Sequence, residues 1–166
     1  MADRLIMGLD PGLALTGYGI ISVTGLKPKL VEAGVVRISR SGSLEDRLCE
    51  LYEGLTEILD QYKLESVAIE QLYSHYERPR TAILMGHARG VLCLAIAQRG
   101  LSVHSYKPTA VKKALTGNGR ASKLQVQLAI QLQLQLKTAP EPPDVADALA
   151  VAMCHHGQLL TAQAFR

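Results

Sequence analysis

Short apolar runs, each ended by polar or turn-forming residues, divide the start of the chain into strands. Residues 4–10 form one such run, and Pro11-Gly12 ends it, which predicts a buried strand. Residues 16–23 and 29–38 predict two further strands, with the turn signal Gly25–Pro28 between them. Because these connections are short, we expect the three strands to form an antiparallel meander.

A helical pattern follows the meander. Leucine and isoleucine recur every three or four residues from Leu44 to Leu59, and Ser43 is suited to cap the helix, which is expected to end near Tyr62. Residues 64–70 predict a fourth strand. Since a helix separates it from the meander, this strand should lie parallel to the first, joined by a right-handed crossover.

The second half of the chain predicts mainly helices. A largely apolar helix is expected over 80–98, a short strand over 101–105 and a helix over 108–115. Residues 124–136 alternate apolar and polar side chains as a strand would, but their leucines also recur every four residues. Leucine and glutamine favour helices, so we predict a helix there. A last helix is expected from Pro143 to about Leu160.

Length and composition fit one compact domain over residues 1–166. The fold class expected is α/β, with a five-stranded mixed sheet in which parallel strands extend the meander, flanked by helices. The N-terminus does not resemble a signal peptide and no apolar run is long enough to span a membrane, so a cytoplasmic protein is expected. Cys49, Cys93 and Cys154 are odd in number and widely spaced, and are interpreted as reduced core cysteines.

Charge is distributed very unevenly along the chain. Residues 1–77 hold 7 Lys and Arg against 12 Asp and Glu, whereas residues 78–140 hold 10 Lys and Arg and no acid. The basic residues could simply keep the surface soluble. A cationic surface beside an anionic site nevertheless favours a polyanionic substrate.

Four carboxylates stand next to apolar runs. Asp10 and Glu70 end two of the predicted strands, while Asp144 and Asp147 lie one helical turn apart at the start of the last helix. Each has an ordinary explanation when taken alone, such as a turn cap, an ion pair or the helix dipole. Together, desolvated carboxylates would repel one another unless a cation lay between them. We therefore predict a site for Mg²⁺ or Mn²⁺.

Two metal ions held by carboxylates can support hydrolysis of a phosphodiester without a nucleophile from the protein. The chain carries no Ser/His/Asp or Cys/His signature that would favour covalent catalysis. His155 and His156 are interpreted as surface or helix-end histidines rather than ligands.

Basic residues predict the surface that meets the substrate. The loop after Glu70 combines a ring and cations, Tyr73 with Arg78 and Arg80, and the ring could stack on an unpaired base or pack under its own loop. A glycine-containing turn, Gly117-Asn118-Gly119, suits a phosphate backbone. The basic residues around this turn are Lys107, Lys112, Lys113, Arg120 and Lys123.

The ordered set of motifs resembles the RuvC family of Holliday-junction resolvases. In the first half these motifs are Gly8-Leu9-Asp10-Pro11-Gly12, Thr16-Gly17-Tyr18-Gly19 and Ala68-Ile69-Glu70-Gln71. In the second half they are Val111-Lys112-Lys113, Gly117-Asn118-Gly119 and Asp144-Val145-Ala146-Asp147. The resemblance extends from about residue 4 to residue 157, and the full ordered set is far more specific than any one motif.

The resemblance implies a ribonuclease-H-like fold and a homodimer that cuts four-way DNA junctions by symmetric paired nicks in recombination and repair. It implies one or two Mg²⁺ ions per active site, with Mn²⁺ as a substitute, held by Asp10, Glu70, Asp144 and Asp147. Lys112 and Lys123 match active-site and DNA-contacting lysines, and Tyr73 takes the place of an aromatic residue that stacks on junction bases. The family further implies a dimer interface on helix 80–98 and a branch-migration motor of the RuvA and RuvB type as partner.

Three other functions fit parts of the sequence. The loop Gly8-Leu9-Asp10-Pro11-Gly12 also resembles the phosphate loop of actin-like and sugar-kinase ATPases, but those proteins need two domains to enclose a nucleotide. A junction-binding protein without catalysis would be expected to have lost carboxylates. A nuclease of the same fold acting on RNA would not require the separate lysine positions.

Overall fold

The computed structural model describes residues 4–24, 27–72 and 78–165. Within these ranges it contains five strands and five helices, in the order that the sequence predicts. The first half comprises β1 (Arg4–Asp10), β2 (Leu15–Thr24), β3 (Lys27–Arg37), α1 (Leu44–Gln61) and β4 (Leu64–Glu70). The second half comprises α2 (Pro79–Ala97), β5 (Ser102–Tyr106), α3 (Pro108–Thr116), α4 (Lys123–Gln133) and α5 (Pro143–Ala164).

The strands form one sheet in the order β3-β2-β1-β4-β5. The pairs β1–β2 and β2–β3 are antiparallel, whereas β4 is parallel to both β1 and β5. The predicted meander and the parallel crossover to β4 are therefore confirmed. This order brings the carboxyl ends of β1 and β4 to the same edge of the sheet.

Side chains alternate between the two faces of the sheet, and each face has its own core. Met7 and Leu9 of β1 pack against α1 and α2 with Leu55 and Ile96. Ile6 of β1 lies on the other face, in a core that includes residues of α3, α4 and α5. Alternation places Asp10 and Glu70 on this second face, beneath α5.

Helix α4 resolves the ambiguity between strand and helix. Ser122 caps it through the backbone N–H of Gln125, and the Gln125 side chain accepts from the N–H of Ser122 in return. Val126 and Ile130 face the core, one turn apart. Three of the leucines that suggested helical periodicity, Leu124, Leu128 and Leu132, lie on the outer side, with Leu132 76% exposed.

Helix α2 has the length and mean hydropathy of a membrane span, contrary to the expectation from sequence. Its inner side belongs to the core, where Ala88, Leu92 and Ile96 are buried. Ile83 and Leu94 remain exposed. A single helix of this kind is weak support for a membrane protein, since the core helices of globular proteins reach the same length and composition.

The interpretation of the cysteines as core residues holds for one of the three. Cys154 is buried in α5, Cys93 is partly buried in α2 and Cys49 is exposed on α1. All three are free thiols. Cys49 lies on the outer side of an amphipathic helix whose leucines supply the core contacts. Its position in the helical repeat, and not the apolar character of cysteine, therefore determines its exposure.

Candidate active site

Asp10 and Glu70 lie side by side at the ends of β1 and β4. The two strands are paired in parallel up to Leu9 and Ile69, so the next residue of each strand carries a carboxylate to the same edge. The two carboxyl groups are near enough that the charge of Glu70 helps to raise the pKa of Asp10. Two neighbouring carboxylates repel one another when both are ionised.

The pKa of Asp10 is raised from its ordinary value of 3.8 to about 8. Burial is the largest cause, followed by the charges of Glu70, Asp147 and Asp144. The pKa of Glu70 is also raised, again mainly by burial, although Lys112 and Lys123 oppose the shift. These carboxyl groups cannot all ionise together unless positive charge is added among them.

The two aspartates of α5 approach this pair from above the sheet. Asp144 lies in the first turn of α5 and Asp147 one turn later, and both side chains are half-buried. The Asp147 carboxylate forms an ion pair with the Lys123 ammonium at 3.1 Å, and this contact raises the pKa of that lysine. Within the described residues, Lys123 thus supplies positive charge to the carboxylate cluster.

A cavity of about 240 Å³ opens between α3, α4 and α5 beside the carboxylates. Its charged lining consists of Glu70, Asp147, Lys112 and Lys123. A second cavity of about 150 Å³ contains Asp10, Glu70 and Met85 of α2. Glu70 borders both, so the two cavities meet at the carboxylate edge and together form a cleft lined by acids and lysines.

The donor set fits a hard divalent cation. All four candidate ligands are carboxylates, the ligand type that Mg²⁺ and Mn²⁺ prefer. As the side chains stand, no three of the described Asp, Glu, His or Cys residues form a ready metal cluster. Asp147 is paired with Lys123 instead. Metal binding by Asp147 would require this ion pair to open.

Comparison with known proteins identifies the family. The family model described as crossover junction endodeoxyribonuclease RuvC matches residues 6–155. The chain belongs to the RuvC family. A RuvC from Rhodopirellula baltica is 56% identical over 151 residues, which cover 91% of this chain and 85% of the relative. A RuvC from Pelotomaculum thermopropionicum is 48% identical over 151 residues, covering 91% and 92%.

Solved structures agree with this assignment. RuvC of Thermus thermophilus in complex with Holliday junction substrate superposes with a TM-score of 0.90 and 33% identity, covering 96% of both chains. The yeast mitochondrial Holliday junction resolvase reaches a TM-score of 0.72 at 14% identity, covering 97% of this chain and 81% of the other, and supports the fold alone. The predicted ribonuclease-H-like fold class is thereby confirmed, and the family assignment sets the alternative of an actin-like ATP-binding fragment aside.

In this RuvC family member the remaining predicted contact residues lie around the cleft or outside the described part of the chain. Lys113 is exposed on α3 and Arg120 on the turn that follows it. Gly117 adopts φ +75° and ends α3, and the Asn118 side chain accepts from the N–H of Arg120. Arg78 and Arg80 are exposed at the start of α2, whereas Tyr73 lies outside the described residues.

The interpretation of His155 and His156 as surface or helix-end histidines is wrong. Both are buried, because α5 runs across the whole sheet and is covered on several sides. His155 lies 2.6 Å from the Tyr106 hydroxyl and 2.9 Å from the Ser66 hydroxyl, and His104 stacks on its ring. Burial lowers the pKa of His155 to about 4, so it is neutral at physiological pH.

The hydrogen-bonded residues around His155 pack next to the strand end that carries Glu70, and the sequence did not predict them. Tyr106 ends β5 next to Glu70, and its carbonyl accepts from the N–H of Gln71 at 2.8 Å. The sequence signal for the burial of these histidines was the uninterrupted apolar run from Ala148 to Cys154. A helix that is apolar on all sides is buried, so the residues that follow directly in the same helix are expected to be buried as well.

Proposed function

We propose that this chain is a crossover junction endodeoxyribonuclease that resolves four-way DNA junctions in recombination and repair. The observation that carries the proposal is the convergence of Asp10, Glu70 and Asp147 with two lysines on one cleft, in a chain of the RuvC family. RuvC of Thermus thermophilus has been solved in complex with a Holliday junction substrate.

We further propose that Asp10, Glu70, Asp144 and Asp147 hold one or two Mg²⁺ ions, for which Mn²⁺ substitutes. When bound, such ions supply a water of lowered pKa and stabilise the charge that develops on the phosphate. The protein contributes the geometry, since two parallel strand ends and one helix end fix the carboxylates. Because burial and the neighbouring carboxylates raise the pKa of Asp10, metal loading should become easier as the pH rises.

The two lysines of the cleft are assigned to the scissile phosphate. Lys123 is held by Asp147 at the mouth of the cleft, and Lys112 reaches the same cavity from α3. Both can attract the scissile phosphate toward the carboxylates. We assign Lys113, Arg120, Arg78 and Arg80 to contacts with the DNA backbone outside the cleft and Tyr73 to stacking on a junction base.

Symmetric paired nicks require two active sites related by a two-fold axis. The exposed apolar side of α2, with Ile83 and Leu94, is the surface that we assign to a homodimer. A cytoplasmic location and a motor complex of the RuvA and RuvB type as partner complete the proposal, with residues 1–166 acting as one nuclease domain.

The test uses a synthetic four-way junction with a label on each strand in turn, incubated with the protein and Mg²⁺. We expect nicks at symmetric positions on two opposed strands, no comparable cutting of linear duplex and no cutting in EDTA. Glu70→Gln should abolish cleavage while junction binding persists, and Glu65→Gln, an exposed carboxylate on the same strand, is the matched control. Equal cutting of junction and duplex, or full activity of Glu70→Gln, would refute the proposal.

A further inference from the structure

Three glycines interrupt β1 and β2 on the face that α5 covers. Gly8 of β1 lies opposite Gly19 of β2, and Gly17 lies opposite Asp10. We name Gly8, Gly17 and Gly19 the glycine platform. A glycine inside a strand costs stability, on the order of 1 kcal/mol relative to alanine, and commonly marks a site where another backbone comes close.

The backbone of α5 lies directly on this platform. A Cβ atom on Gly17 would overlap the carbonyl oxygen of Asp144 and lie 2.6 Å from its carbonyl carbon. A Cβ on Gly8 would overlap the carbonyl oxygen of Ala148 and lie 2.6 Å from the amide nitrogen of Ala152. At Gly19 the nearest atoms belong to the Leu149 side chain. Backbone cannot rotate away as a side chain can, so Gly8 and Gly17 fix how closely α5 approaches the sheet.

Gly17 combines two contacts that no other platform residue has. It is the cross-strand partner of Asp10, and it touches the backbone of Asp144. Gly17 therefore sets the separation between the strand that carries Asp10 and the first turn of α5, because it has no side chain to hold them apart.

We infer that Gly17 is a positioning residue for the metal site, because it seats the first turn of α5 so that Asp144 and Asp147 face Asp10. The inference rests on the proposed function for its metal. A methyl group at position 17 must push the start of α5 outward, which withdraws two of the four carboxylates from the other two. Metal affinity should fall while the DNA surface on α3 and the following turn stays in place.

The test measures Mn²⁺ binding to the DNA-free dimeric protein by calorimetry and junction binding in EDTA by gel shift. Gly17→Ala should weaken Mn²⁺ binding by about tenfold or more, the range seen when groups that orient metal ligands are lost. Junction affinity in EDTA should stay within about twofold of wild type, as expected when no phosphate contact is removed. Cleavage should require correspondingly more Mn²⁺.

Gly19→Ala is the matched control, since it adds the same methyl group on the same strand and face. Its Cβ meets the Leu149 side chain, so stability should fall while Mn²⁺ affinity is retained. If Gly17→Ala does not fold, Gly17→Ala with Pro143→Ala provides a second variant, because removing the proline lets the first turn of α5 move without the rest of the helix.

The outcomes separate the inference from the proposed function. Wild-type cleavage of the junction decides the proposed function, whatever the variants do. Weakened Mn²⁺ binding in a folded Gly17 variant, with normal binding in Gly19→Ala, supports the positioning role. If Gly17→Ala binds Mn²⁺ as wild type does, if both glycine variants lose affinity equally, or if neither Gly17 variant folds at 10 °C, Gly17 serves the fold alone and the inference is overturned.

Discussion

At the scale of single residues, the site is a set of carboxyl groups held closer together than their charges favour. Burial and the charge of Glu70 raise the pKa of Asp10, which favours its protonated form, and Asp147 takes its countercharge from Lys123. A protein without bound metal thus compensates its own carboxylates in two different ways. Both compensations depend on pH or on ionic contacts, so they can be measured.

Replacing Asp10 should stabilise the metal-free protein at high pH. The pKa of Asp10 is raised in the folded state to about 8, so the stability that its proton contributes is present below about pH 4 and is lost as the pH rises toward 8. Asp10→Asn removes this loss, and its free energy of unfolding in EDTA at pH 8 should exceed that of wild type, on the order of 2 kcal/mol. Thermal melts at pH 5 and 8 test this, and an equal gain at both values would contradict it.

His155 predicts the opposite dependence. Burial lowers its pKa to about 4 in the folded state, so the neutral ring contributes stability above about pH 6.5 that is lost as the pH falls through 4. His155→Gln can still bond to Tyr106 and Ser66 but does not titrate, so its urea midpoint should change less between pH 7 and 4.5. The exposed His87→Gln is the control and should follow wild type.

At the scale of elements, the helices on the site side place charged residues at their starts and pack buried residues further along. The start of α5 carries two carboxylates, while its middle is buried throughout. Helix α4 begins with Lys123 and then packs Val126 and Ile130. Helix α2, on the opposite face of the sheet, exposes the apolar side chains of Ile83 and Leu94, and that surface needs a partner in the proposed dimer.

Charge placed on α2 should therefore separate the subunits. Ile83 is 61% exposed and Leu94 53% exposed, so lysine at both positions is tolerated by the fold but not by an apolar interface. Ile83→Lys with Leu94→Lys should sediment as a monomer and give uncoupled single nicks. Leu132→Lys on α4 makes the same chemical change elsewhere and should remain dimeric. A dimeric double variant would remove α2 from the interface.

At the scale of the whole molecule, the charge asymmetry along the chain becomes a spatial one. The acid-free span from 78 to 140 supplies α2, α3 and α4, which surround the cleft. The acidic first half supplies most of the sheet and α1. A polyanion is thus attracted to one side, the side on which the carboxylates lie.

Removing cations from that side should reduce the salt dependence of junction binding. Lys113→Ala with Arg120→Ala should lower the slope of log affinity against log salt by about 2, since each lost phosphate contact removes about 1. Binding measured in EDTA across a salt series tests this. Lys27→Ala with Lys29→Ala, on the edge strand β3, removes equal charge elsewhere and should leave the slope unchanged.

How much the sequence could predict depends on how local the signal was. Caps, turns and periodicity predicted every element, and chain order predicted the pairing of β1 with β4. The burial of His155 and the exposure of Cys49 depend on what packs over a helix, which residue type does not reveal. The pairing of Lys123 with Asp147 and the seat of α5 on Gly17 depend on the packing of elements distant in sequence, which periodicity does not encode.

The position of α5 after all five strands has a consequence for the timing of synthesis. A nascent chain that has completed the sheet holds Asp10 and Glu70 but not yet Asp144 or Asp147. Chains that stop before residue 143 therefore carry half of the candidate ligands and none of the helix that closes the cleft. We therefore expect truncated products of interrupted translation to be unable to cut DNA, because the order of the elements places two of the four candidate ligands last.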